Sequence, residues 1–261
     1  MEVEVRPTRL GSRWFRSFGE VTDPVCEVVC FPHAGGSAAM FQTWHRATSA
    51  LRITAVQLPG REVRLGERPF LEMTALVDAL VPALRPLTGR PYAFYGHSMG
   101  ALVAFEVLRR FTALELPLPR ALFVSGRDAP QYGDQEEVHH LPDAELLARL
   151  RAWEGMEPQD LSTYEELVTL MLPTIRADLT LAETYRYAPG PALPVPVRVL
   201  RGARDPLMRP RDAGWAVQTS AECSVREFEG GHYFVQDQER SVVAHIEAAL
   251  GVSGTGEAGT R

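Results

Sequence analysis

"YAFYGHSMGALVAFEVL", residues 92–108, opens on apolar residues, breaks at two glycines and goes on with helical spacing. The apolar run reads as a buried strand, and "ALVAFEVLRRF" (101–111) as a helix. Ser98 sits at the break, in Gly96-His97-Ser98-Met99-Gly100. A Gly-Xaa-Ser-Xaa-Gly pattern is weak by itself. Between a strand and a helix it becomes specific, because the turn lifts the serine Oγ above the sheet, at a helix N-terminus whose free amides favour negative charge. The glycines are needed because the turn is tight and a Cβ there would clash. Ser98 is therefore the candidate nucleophile. His97 points elsewhere in such a turn and reads as support.

Strands and helices alternate on either side of this stretch. "CEVVCF" (26–31), "RITAVQL" (52–58), "PYAFYG" (91–96), "RALFVSG" (120–126), "VPVRVLRG" (195–202) and "CSVREFEG" (223–230) read as strands. Helices are predicted around 39–51, over "MTALVDALVPAL" (73–84) and over "SVVAHIEAALG" (241–251). Strands that are apolar on both faces and separated by helices imply an α/β fold, with a mostly parallel sheet covered on both sides. Residues 129–191 carry helical patterns only, in "DAELLARLRAW" (143–153) and "YEELVTLMLPTIRADLTLAETYRY" (164–187). Asp143 is expected to cap the first of these, and Pro173 to kink or break the second. A helical insertion between two strands of an open sheet lies above the strands' C-terminal ends, where such sheets place their ligand sites, so 129–191 reads as a lid. The core is then 1–128 with 192–250, and 251–261, small and polar, reads as a disordered tail.

A chain of 261 residues, 45% hydrophobic, can bury a large core. The start, Met-Glu-Val-Glu-Val, lacks the pattern of a signal peptide, and no apolar run is long enough to span a bilayer. Cys26, Cys30 and Cys223 lack metal-ligand spacing; Cys26 and Cys30, in one apolar run, read as small core residues, and the set suits a reducing, cytoplasmic setting. A net charge of -6 argues against general nucleic-acid binding. Every basic side chain is arginine, which can donate two parallel hydrogen bonds to a phosphate.

A serine hydroxyl needs a base, and the base a carboxylate to orient it. In this kind of fold the chain order is Ser, then Asp or Glu, then His. His232 in "EFEGGHYF" follows the last strand between flexible neighbours and is the candidate base. His45, His245, His139 and His140 fall in helices or at the lid's edge and read as packing or surface residues. Two acids compete. Asp205, in "RGARDPLM", follows a strand, and Asp128, in "VSGRDAP", ends the strand after the nucleophile helix. Asp178 and Asp237 read as structural. An oxyanion needs two amides. One is that of Met99, and the other comes from "FPHAGGSA" (31–38), where Ala34 is favoured and Gly35 is next. His33 reads as holding that loop. The chemistry calls for no metal or organic cofactor.

At this point the sequence resembles the stand-alone type II thioesterases of polyketide synthase and nonribosomal peptide synthetase pathways. The resemblance covers nearly the whole chain. It rests on "CFPHAGGSA", "QLPGRE" (57–62), "YGHSMGALVAFE", "SGRDAP", "LPDAELLARL", "LPTIRADLTLAETYRY", "GARDP" and "GGHYFV". It implies an α/β-hydrolase fold, a triad of Ser98, Asp205 and His232, and an oxyanion hole from the amides of Ala34 and Met99. It also implies hydrolysis of acyl groups from the phosphopantetheine thiol of acyl or peptidyl carrier proteins, and a monomer. The sequence departs from the family at Asp128, which stands where a basic or neutral residue is expected. It departs again in "LRAWEGMEPQD" (150–160), where Trp153 and Glu154 replace smaller residues, which leaves the preferred acyl chain open. Because carrier proteins are acidic, Arg61, Arg64, Arg68, Arg149 and Arg151 are candidates for docking. A small-molecule carboxylesterase or an acyltransferase would use the same triad. A non-catalytic binding module would be expected to lack one member of it.

Overall fold

Among the described residues, seven strands make one sheet: β1 (Phe15–Phe18), β2 (Cys26–Phe31), β3 (Leu51–Val56), β4 (Tyr92–His97), β5 (Leu122–Ser125), β6 (Val197–Gly202) and β7 (Cys223–Phe228). Their order across the sheet is β1-β3-β2-β4-β5-β6-β7. All neighbours are parallel except β1, which pairs antiparallel with β3. The computed structural model describes residues 13–133, 136–154, 165–209 and 212–252. The helices are α1 (Met73–Leu84), α2 (Met99–Ala113), α3 (Asp143–Glu154), α4 (Glu165–Glu183), α5 (Phe234–Asp237) and α6 (Glu239–Ala249).

The continuous apolar strands are explained by two cores, one on each face. Val29, Phe31, Phe94 and Val124 pack with residues of α1 and α2, whereas Val28, Cys30, Tyr95 and Phe123 pack with α6 and the segment around Trp44. Successive residues of a strand point to opposite faces, so a strand covered on both sides is apolar at most positions, and the buried Glu27 and Thr54 satisfy each other by a hydrogen bond at 2.7 Å. Among the described residues no helix is long and apolar enough to cross a membrane.

Four local expectations are corrected. The predicted helix over 39–51 is two 3-10 turns, Ala38–Phe41 and Trp44–Ala47. Phe41 and Trp44, three residues apart, both meet the buried Tyr95 ring edge-on, a spacing that 3-10 turns provide. The strand predicted over 52–58 ends at Val56, because the Gln57 side chain turns in to accept from the Ala38 N–H. Asp143 is the first residue of α3 instead of its cap. The Pro142 carbonyl accepts the first helical bond, and the Asp143 carboxylate takes Arg176 Nη2 at 2.6 Å. Pro173 does not break α4, which is anchored on both sides of it by Leu172 and Leu179, packed against Val138 and Leu146. β1 has no counterpart in the sequence reading: "FRSF" is short and only partly buried, as an edge strand is.

α3 and α4 lie between β5 and β6 in the chain, inside the stretch read as an insertion. The proposed tail falls almost wholly outside the described residues, as do 155–164 of the proposed lid.

Candidate active site

β4 ends at His97, and the chain reverses into α2 through Ser98, whose φ of 53° and ψ of -117° lie outside the ordinary regions for a residue with a side chain. Two close approaches impose this bend. A Cβ on Gly96 would sit 2.3 Å from the Gly100 carbonyl oxygen, and one on Gly100 would sit 2.1 Å from the Phe31 carbonyl oxygen. The start of α2 is thus seated on the end of β2. The Ser98 N–H donates to the Ser125 carbonyl of β5 at 2.8 Å, which fixes the turn over the sheet. Strain of this kind persists only where the surroundings over-determine it, and it gathers at functional sites. Met99 is the first residue of α2, so its N–H has no partner within the helix.

The neighbouring strands deliver two more groups. β6 and β7 run parallel in register, Gly202 opposite Phe228, so the loops that follow them leave the sheet side by side. Gly202 lets them touch, because a Cβ there would lie 2.2 Å from the Gly231 oxygen. His232, on the second loop, donates from Nδ1 to Asp205 Oδ2, on the first, at 2.9 Å. Both side chains are buried. Asp205 Oδ1 accepts from the Leu207 N–H at 2.9 Å, which holds the carboxylate from its other side. With Nδ1 donating, the neutral ring keeps Nε2 as an acceptor.

Asp128 is held differently. Its two oxygens accept from the Arg209 N–H at 3.2 and 3.4 Å, and the Arg209 guanidinium lies 3.9 Å away. Burial raises its carboxyl above the usual range. Asp128 borders the same cavity as His232 without bonding to it.

The loop after β2 is a tight turn. The Gly36 N–H donates to the His33 carbonyl at 2.9 Å, and His33 Nδ1 donates to the Ala34 carbonyl at 2.8 Å. Gly35 has φ +74° and gives its N–H to Asp178 Oδ2 at 2.7 Å, so of the two amides weighed for the oxyanion Gly35's is committed, whereas Ala34's takes no hydrogen-bond partner among the described residues. Desolvation pushes the His33 ring down to about 4, against the pull of its bond to Ala34. His97 lies fully buried beneath the turn, with Nδ1 2.9 Å from Ser125 Oγ and its ring 5.0 Å from that of His232. Desolvation, and then the nearby His232, hold His97 well below its ordinary value.

Ser98, His232, Ala34 and Met99 line one cavity of about 320 Å³. Its other side is formed by α3 and α4, through Trp153, Leu179 and Glu183 among others. A larger cleft of about 670 Å³ runs along α1, α2 and the chain after α4, bordered by Glu72, Arg109 and Leu193, and does not reach Ser98.

Two residues were misjudged from sequence. Arg61 and Arg64, proposed for docking, are buried. Arg64 stacks over Trp14 at 4.1 Å, binds Glu67 and donates to the Gln57 carbonyl. Arg61 makes a two-pronged pair with Asp178, at 2.7 and 2.8 Å. Asp178, read as merely structural, is thereby joined to the Gly35 amide. Their signal was present in "QLPGRE" and "IRAD", two of the segments that carry the family resemblance, but nothing in one sequence says that two such segments meet.

The family model for the thioesterase domain matches residues 26–250. The thioesterase PikA5 of Streptomyces venezuelae is 37% identical over 253 residues, which cover 94% of this chain and 88% of that protein. The type II thioesterase BorB from the borrelidin biosynthetic cluster superposes with a TM-score of 0.82 at 38% identity, covering 91% of this chain and 97% of its own. RedJ, a thioesterase of the prodiginine pathway in Streptomyces coelicolor, gives 0.82 at 34% identity, covering 88% and 87%. The chain adopts the α/β-hydrolase fold, belongs to the thioesterase family and is a thioester hydrolase.

Proposed function

We propose that this protein is a stand-alone type II thioesterase. It hydrolyses acyl groups from the phosphopantetheine thiol of acyl or peptidyl carrier proteins and so clears aberrant or stalled units from a polyketide or nonribosomal peptide assembly line. The observation that carries the catalytic reading is the His232 Nδ1 to Asp205 Oδ2 hydrogen bond at 2.9 Å, beside a cavity that Ser98 also lines. The relatives from biosynthetic clusters support the carrier-bound substrate.

His232 Nε2 takes the proton of Ser98 Oγ as the oxygen attacks the thioester carbonyl. The Ala34 and Met99 N–H groups hold the oxyanion. The tetrahedral intermediate collapses, the carbon–sulfur bond breaks, and the pantetheine sulfur leaves with the proton from His232. Water enters and His232 takes its proton as the oxygen adds to the acyl carbon; on collapse His232 returns that proton to Ser98 Oγ, and the free acid leaves. Asp205 keeps the imidazole in the productive tautomer and stabilises its charged form. The chain acts as a monomer in a cytoplasmic, reducing setting, to which its three free thiols are suited.

The test is mass spectrometry of a phosphopantetheinylated carrier protein loaded with acetyl, propionyl or longer acyl groups, incubated with wild type and with Ser98→Ala. Acyl loss with wild type alone supports the reading. Turnover of small oxygen esters with no acyl loss from the carrier would replace it with a small-molecule carboxylesterase.

A further inference from the structure

Arg61 and Asp178 form a buried ion pair that no step above uses. A buried pair is weak evidence for stability, because the cost of taking two charges out of water often matches their attraction. This pair has a second set of bonds. Asp178 Oδ2 takes the Gly35 N–H at 2.7 Å, and Arg61 Nη1 donates to the Gly36 carbonyl at 2.8 Å. Arg61 Nε is tied to the Pro59 carbonyl at 3.1 Å. The two charged groups therefore grip both glycines that follow Ala34.

The same turn of α4 seats two loops. Thr174 Oγ1 donates to the Gly60 carbonyl at 2.7 Å, and Ile175 lies where a Cβ on Gly35 would come within 2.5 Å of its Cγ1. Thr174 and Ile175 lie four and three residues before Asp178, the spacings that share a helical face with it. From that same turn Arg176 reaches the His139 and Leu141 carbonyls, in the segment leading into α3, and Asp143, the first residue of α3. One helix turn thus braces the loop after β2 and the far wall of the cavity together.

We propose that Asp178 and Arg61 are positioning residues for the oxyanion hole: they commit the Gly35 amide, fix the Gly35–Gly36 turn, and so leave the Ala34 N–H aimed at the developing oxyanion. This rests on the catalytic reading above. An oxyanion donor acts through preorganised placement, and removing one costs about 10²–10³ in kcat. Loss of the clamp is expected to act on that placement and to leave ground-state binding intact.

The experiment uses the full chain with a small propionyl thioester. It compares wild type, Asp178→Asn, Arg61→Lys and the apolar double variant Arg61→Met with Asp178→Leu. For each, Tm, kcat, KM and inhibition by a trifluoromethyl ketone analogue of the thioester are measured. The adduct of that analogue with a serine carries an oxyanion, so its affinity reports the hole directly. Expected is a fall of about 10²-fold in kcat for Asp178→Asn and for the double variant, with KM changed by less than about threefold. Ketone affinity is expected to fall in step with kcat. Arg61→Lys keeps the charge without the fork and is expected to fall between. The double variant leaves no charge unpaired, so it keeps the test decisive should Asp178→Asn fail to fold. A folded variant lacking the clamp that retains kcat and ketone affinity would overturn the proposal. A wild type inert on thioesters, or an active Ser98→Ala, would instead overturn the catalytic reading.

Discussion

Asp205 and His232 meet at 2.9 Å because parallel strands β6 and β7 release them on adjacent loops, whereas Asp128 spends its carboxylate on the Arg209 N–H. The two acids therefore differ in what their loss should do. Asp205→Asn is expected to lower kcat by about four orders of magnitude, through the wrong imidazole tautomer, with little change in Tm. Asp128→Asn is expected to keep kcat within about tenfold of wild type, since it touches neither His232 nor Ser98. Steady-state kinetics on one thioester decides between them. The reverse ranking would move the acid to β5.

Trp153 brings the bulkiest side chain on α3 to the cavity that holds Ser98. Its replacement by Ala should lengthen the acyl chains accepted. The ratio of kcat/KM for octanoyl over propionyl thioester is expected to rise by about tenfold or more, the scale set by burying a few more methylenes. An unchanged ratio would mean that the acyl chain runs elsewhere.

Gly100 cannot gain a side chain without moving the backbone of β2, whose Phe31 oxygen would lie 2.1 Å from the new Cβ. Gly100→Ala is expected to cost ~3 kcal/mol or more, read as a shift in the urea midpoint. Gly66, with open space around it, is the control. Gly66→Ala should stay within about 0.5 kcal/mol of wild type.

Stability should fall as the pH is lowered from 7 towards 5. His33 and His97 are held below 6.5 by desolvation, and half-buried His245 is lowered in the same direction. The folded chain then binds fewer protons than the unfolded one between the folded values and 6.5, so acid favours unfolding. Their contribution is complete above 6.5 and, for His33, is lost on the way down to about 4. Urea midpoints at pH 7.5, 6.0 and 5.0 measure it. His33→Gln should flatten part of the slope. A flat profile in wild type would show that the rings are not kept neutral.

With Arg61 and Arg64 buried, Arg68, Arg149 and Arg151 remain of the five arginines considered for docking an acidic carrier, and Arg149 already pairs with Glu136 at 2.5 Å. Raising salt should reduce kcat/KM for carrier-bound substrate severalfold and leave small thioesters nearly unaffected. Equal sensitivity would argue against a charged docking surface.

The alternation of two-faced apolar strands with amphipathic helices determined the layered sheet, because burial on both sides leaves few polar positions. The spacing in Gly96-His97-Ser98-Met99-Gly100 determined the turn, because only glycine fits where α2 meets β2. Ser98, Asp205 and His232 were each readable as candidates, since each follows the C-terminal end of a strand of that sheet. Tertiary structure alone decided the rest. Whether Asp128 or Asp205 faces His232 depends on strand order, which local pattern does not encode. The helix expected over 39–51 became two 3-10 turns because Phe41 and Trp44 both pack on Tyr95, from a distant strand. Arg61 looked like surface because isolated arginines usually are. It is buried because Asp178, 117 positions away, supplies the opposite charge and accepts two hydrogen bonds, while the Gly36 and Pro59 carbonyls accept two more.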